Sequence, residues 1–132
     1  MSRIERPSKE DRSKWDIKFT DDLKFGEKGE NDLYNIIRNS TMEVKSDRIW
    51  KSTGNIAIEF ECNGKPSGIA KTEADYYAIN LCYGDAYWGH LIFPTDRMRI
   101  LASKCEQRYG GDGGRAKMYL VKLSKLFDVN KK

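Results

Sequence analysis

At 132 residues and a formal net charge of +4, the chain has room for one domain with a real hydrophobic core and little room for a second. No aliphatic run reaches the roughly 18 residues that a membrane span needs, and the opening stretch MSRIERPSKEDRSK lacks the apolar centre of a signal peptide, so a soluble, cytoplasmic protein with no membrane partner is expected. Three cysteines, Cys62, Cys82 and Cys105, show no metal or disulfide spacing, and the single histidine, His90, argues against zinc hydrolases and histidine-activated nucleophiles; a thiol nucleophile at Cys82 or Cys105 stays open beside the commoner buried structural role.

In chain order, residues 1–14 are polar and mixed in charge and read as a flexible basic arm, leaving 15–128 as the folded domain. Trp15, Ile17 and Phe19 alternate with Asp16 and Lys18, the pattern of a short strand that pins the arm. Asp21 or Asp22 then caps a helix running to about Arg38. Gly26 and Gly29 each cost it about 1 kcal/mol relative to alanine, so it begins near Gly29 or packs tightly at the glycines. Glu30 precedes Leu33, Tyr34 and Ile37 by three, four and seven positions, which sets an acid on the stripe expected to face the sheet. Either the helix dipole stabilises it there or it has a functional partner.

The stretch Thr41–Glu61 organises the rest. Met42 and Val44 alternate with Glu43, Lys45 and Asp47, and Ile56, Ile58 and Phe60 alternate with Ala57, Glu59 and Glu61. With RIWKSTG between them, the two strands read as an antiparallel hairpin having one aliphatic face and one charged face. Four carboxylates and a lysine on one small patch repel by several kcal/mol, since like charges about 4 Å apart cost roughly 4 kcal/mol at a protein surface. Such a patch is either a solvated sheet face or a site for a hard cation, whose usual ligands are one or two carboxylates, waters and substrate phosphates.

Gly64–Gly68 is a loop in which Ser67, with Lys71 beyond it, is placed to touch a phosphate, and Thr72 caps a single helical turn. Tyr76–Tyr83 and Ala86–Phe93 form strands around a Gly84-Asp85 turn, with Tyr76, Tyr77, Tyr83, Tyr87 and Trp88 weighed as core packing first and as stacking platforms for bases second. Thr95 or Asp96 caps a helix whose inner face is Met98, Ile100, Leu101 and Cys105. GGDGGRAK is a turn whose Arg115 and Lys117 are candidate phosphate contacts, though it is no nucleotide P-loop, and Met118–Leu123 is a last strand. The order implies an α/β single domain with a mixed β-sheet flanked by helices. Charge follows position: Arg97–Lys132 holds ten basic residues against three acids, while Trp15–Asp96 holds nine against fourteen. Basic ends around an acidic centre suit an enzyme acting on a polyanion.

The ordered set G-x-x-GE (Gly26 to Glu30), MEVKSDR, TGNIAIEFE, GKPSGI and TEADYY resembles the active-site core of PD-(D/E)xK nucleases, and within that superfamily is similar to small phage-encoded proteins, over about Asp22 to Leu123. The resemblance implies a restriction-endonuclease-like core, a Mg²⁺ or Mn²⁺ cofactor, DNA in preference to RNA as substrate, and a possible homodimer; a phage protein would act in the host cytoplasm. It implies two registers. In the preferred one Asp47 and Glu59 hold the metal with help from Glu30, Glu61 stands where the lysine usually is, and Lys45 supplies the cation. In the other, Glu43-Val44-Lys45 is itself the E-x-K and the first acid has to precede it, where Asp32, inside the predicted helix, is the one nearby candidate. The general base is then Glu61 or Lys45, and the reaction is metal-assisted phosphodiester hydrolysis. A nucleic-acid binder with an inactive site, and an accessory module that binds another protein, are the competing readings.

Overall fold

The computed structural model describes residues 4–6 and 8–129, with the backbone alone for residues 10–19. Two compact units result, residues 1–39 and 40–132. The first is one long helix, α1 (Lys9–Asn39). It absorbs Trp15–Phe19, where alternation suggested a strand, and residues 9–14 of the arm; residues 1–3 and 7 of that arm lie outside the described residues. Five alternating positions carry little information against the helix-forming Lys, Glu, Arg and Leu around them. Gly26 and Gly29 lie within the helix, and a β-carbon at either would meet nothing within 4 Å, so neither marks close packing. Glu30, Leu33, Tyr34 and Ile37 are exposed.

The second unit contains two sheets. One, of mixed direction, orders its strands β1 (Met42–Asp47), β4 (Tyr76–Tyr83), β5 (Ala86–Pro94); the other, antiparallel, runs β3 (Lys65–Pro66), β2 (Asn55–Cys62), β7 (Ala116–Lys122), β6 (Glu106–Gly110). This is the expected α/β class. The expected hairpin of the first two strands is not formed: β1 pairs in parallel with β4, while β2 pairs with β7 and β3. The cause lies in the connection. RIWKSTG closes into a helical turn, α2 (Trp50–Thr53), that ends on Gly54 at φ +73°, and so carries the chain from one sheet to the other. Trp50 fastens that turn to the first sheet by donating its indole N–H to the Cys82 carbonyl at 2.8 Å.

The parallel register of β1 on β4 is set at their starts. The Asp75 amide donates to the Thr41 hydroxyl at 2.9 Å, that hydroxyl returns a bond to the Asp75 carboxylate at 3.2 Å, and the Tyr76 amide donates to the Thr41 carbonyl at 3.1 Å. No helical turn follows Thr72, whose hydroxyl accepts the Ala74 amide; the 3₁₀ turn in this connection, Gly68–Ala70, comes before it.

Both sheets feed one core. Ile56, Ile58 and Val121 come from the antiparallel sheet, Tyr77, Ile79 and Leu81 from the mixed one, Met98 and Ala102 from α3 (Thr95–Ser103), and Ile69 and Leu126 from the connections. Each fully buried aliphatic side chain contributes about 1.5–3 kcal/mol. Ile100, expected on the inner face of α3, is exposed and Ala102 takes its place; neither Thr95 nor Asp96 caps the helix, whose N-cap is Pro94 without a side-chain bond. Among the described residues no helix is long and apolar enough to cross a membrane.

Candidate functional site

The polarity of β1 is the reverse of an ordinary edge strand. Paired in register, Glu43 lies beside Tyr77, Lys45 beside Ile79 and Asp47 beside Leu81. Neighbours across a ladder point to the same face, and Tyr77, Ile79 and Leu81 are core residues, so the three charged side chains of β1 stand on the core side of the sheet. Val44, from the aliphatic row, is 54% exposed. Charges on that side need partners.

Each finds a different one. Asp47, buried at the end of the strand, accepts the amides of Ile49 and Trp50, both at 2.9 Å, and that of Ala57 at 3.2 Å. Its two oxygens thereby start α2 and tie β1 to β2 across the sheets. Nearer the rim, Lys45 lies 3.6 Å from Glu43, with both side chains partly exposed. Glu59 on β2 accepts the Ser67 hydroxyl at 2.9 Å. Gly68 allows that approach: at φ +49° it lies so close to β2 that a β-carbon would run into the Glu59 carbonyl oxygen.

Tyr77 connects these groups. Its side chain is wholly buried, and its hydroxyl has no hydrogen-bond partner among the described residues. Burial first, then the charges of Glu43 and Glu59, push the phenol well above its ordinary range. Both carboxylates thus act electrostatically on one phenol: Glu43 is its in-register neighbour on β1 and lies beside Lys45, and Glu59 is held by Ser67.

The remaining predicted residues lie elsewhere. Glu61 is paired in register with Lys117, and their side chains form an ion pair at 3.1 Å; the carboxylate, through its hydrogen bond and its charge, raises the lysine above the usual range. A β-bulge between Glu59 and Glu61 separates the two acids along β2. Lys117 also rests 5.5 Å from the centre of the Tyr109 ring. Arg115 and Lys71 are exposed. Glu30 is on the helical unit, whereas every group of the cluster belongs to residues 40–132. Among the described residues no three His, Cys, Asp or Glu side chains are grouped as a metal would need for a full protein cage.

Tyr77 was missed as a site residue because its type and strand position match ordinary core packing. Glu43 entered as one of the four carboxylates of the charged patch, on one face with Lys45 by alternation, and was given a role of its own only in the alternative E-x-K register. Compared with known proteins, the chain matches no family model, no curated protein and no solved structure.

Proposed function

We propose that the chain is a divalent-metal-dependent phosphodiesterase acting on nucleic acid, DNA before RNA, with Glu43 and Glu59 as the acids that would hold Mg²⁺ or Mn²⁺. The observation that carries this reading is the buried, unpartnered Tyr77 hydroxyl under the influence of both carboxylates. A polar group left without a bond in a protein interior costs about 1–3 kcal/mol, and a bound water or ligand oxygen at a cation site removes that cost. Two carboxylates are enough for an ion whose remaining positions are filled by water and substrate phosphate. Such an ion, when bound, supplies charge to the scissile phosphate and acidifies an attacking water.

The chain's own residues divide the rest of the work. Lys45, on the face of Glu43, is placed to orient that water or to offset charge gathering on the phosphate. Ser67 holds Glu59 in one rotamer. Tyr77, kept protonated by its surroundings, offers a hydrogen-bond donor. Asp47, with three amides on its carboxylate, is a scaffold residue, and Glu61, held by Lys117, is not a free base. Glu43 and Lys45 come from the E-x-K triplet, but Glu59 follows that triplet where its register needs an acid before it, so this set matches neither register as first drawn.

The test joins a binding readout to an activity readout. Manganese titration of the whole chain should show an ion that is lost in Glu43→Gln and Glu59→Gln, and nicking of plasmid DNA should require Mg²⁺ or Mn²⁺ and the same two residues. Ion binding that survives the double substitution rejects the site. A second reading, an inactive nucleic-acid binder, is favoured by the absence of a three-ligand group among the described residues; salt-sensitive DNA binding without cleavage would establish it.

A further inference from the structure

The far end of the β4–β5 hairpin departs from the core role expected of its aromatics. Trp88 is 68% exposed, Tyr87 57% and Tyr83 46%. They are not scattered. Tyr83 and Trp88 meet with ring centres 5.6 Å apart, and Tyr87 lies 5.2 Å from the His90 ring. A bulge between Leu81 and Cys82 gives β5 an extra residue, Trp88, against its partner strand, which splays the rings at the tip.

Cations accompany these rings. The Lys51 ammonium on α2 lies 4.4 Å from the centre of the Tyr83 ring. Arg48, at the end of β1, is exposed and lines a groove with Ser46, Cys82, Gly84, Asp85 and Tyr87, in which Asp85 is the one acid. Behind the groove a polar row crosses the sheet: Asn80 donates to the Ser46 hydroxyl at 3.2 Å, and its amide oxygen lies 2.7 Å from the His90 Nδ1.

We propose that this hairpin tip is a stacking surface for the unpaired bases of a single-stranded nucleic acid, with Trp88, Tyr83 and Tyr87 receiving bases and Lys51 and Arg48 receiving the adjoining phosphates. The choice of occupant rests on charge complementarity and ring geometry. Every base has a π-face, a ring pair with a cation over it can take a base on one side and a phosphate on the other, and such sites tolerate any sequence. Bases stacked inside a duplex are closed to rings carried on a hairpin turn. The inference rests on the nucleic-acid reading above and narrows its substrate to strands with unpaired segments: single strands, flaps or junction arms.

The experiment is equilibrium binding of a fluorescently labelled twelve-residue oligothymidylate to the full chain in EDTA, with a blunt duplex of equal length as comparison. The oligothymidylate should bind more tightly than the duplex. Trp88→Ala and Tyr87→Ala should each weaken it roughly tenfold, and Trp88→Phe should restore most of the loss. Equal affinity for both probes, or indifference to the alanine substitutions, overturns the proposal. So does self-association of the chain that Trp88→Ala abolishes in the absence of oligothymidylate binding, which would assign the surface to a second copy. Binding without metal-dependent cleavage retains this surface and rejects the nuclease; cleavage of single-stranded DNA at full rate by Trp88→Ala retains the nuclease and rejects this surface.

Discussion

The carboxylate of Asp47 accepts the backbone amide of Ala57 at 3.2 Å, and those two residues belong to different sheets. One side chain thus joins the two layers of the second unit and starts the helical turn between them. Removing it would leave three amides without their acceptor. At about 0.5–1.5 kcal/mol for each of these part-buried bonds, Asp47→Ala should lower unfolding stability by about 2–4 kcal/mol, and Asp47→Asn by less, since one oxygen remains. Urea denaturation measures this; an unchanged midpoint together with lost metal binding would return Asp47 to the ligand role.

Tyr77→Phe removes a hydroxyl that has no partner and keeps the ring that fills the core. Stability at neutral pH should therefore be unchanged or rise by up to about 1 kcal/mol. The pH dependence has a definite sign. With its folded pKa raised above the ordinary 10.0, Tyr77 contributes stability that is complete below that value and is lost as pH rises through the folded pKa, because the unfolded chain releases the proton first. Alkaline unfolding should begin at higher pH in Tyr77→Phe, as followed by circular dichroism.

Gly68 and Gly114 separate two costs of substituting glycine. Both have positive φ, +49° and +67°, but a β-carbon meets the Glu59 backbone at Gly68 and nothing within 4 Å at Gly114. Gly114→Ala should cost about 1–2 kcal/mol for backbone strain alone. Gly68→Ala should cost clearly more, because the Ser67–Ile69 segment must leave β2, and it should also loosen the Ser67–Glu59 hydrogen bond. Thermal unfolding of the two variants, compared directly, decides the matter.

Glu61→Gln should return the Lys117 ammonium toward the ordinary lysine range, since the carboxylate is the first cause of its raised value. Titration of the lysine side chain by NMR reads this shift. The stability supplied by that pair is present below the ordinary lysine pKa and is lost as pH rises through the folded value. Cleavage should be far less sensitive to Glu61→Gln than to Glu43→Gln; equal losses would make Glu61 part of the reacting site.

Much of the local structure was legible in the residues themselves. Tyr76–Tyr83 was read with the bounds that β4 has, and Gly84-Asp85 turns the chain into β5 as its composition suggested. Alternation also grouped Glu43 with Lys45 and Asp47 correctly. Two-residue periodicity follows from strand geometry, which is a property of a few neighbouring residues.

Alternation has no sign, however. It separates two rows without saying which row meets the core, and it says nothing of which strand lies alongside. Here β1 found β4, far along the chain, through the Thr41–Asp75 clasp, and that pairing set Glu43, Lys45 and Asp47 on the core side of the sheet, buried Asp47 and left Val44 exposed. The same long-range choice made Asp47 a junction between sheets and set Glu43 beside the buried Tyr77. It also left Tyr83, Tyr87 and Trp88 in solvent, where composition suggested core. These outcomes depend on contacts between residues tens of positions apart, and no short window of sequence contains them.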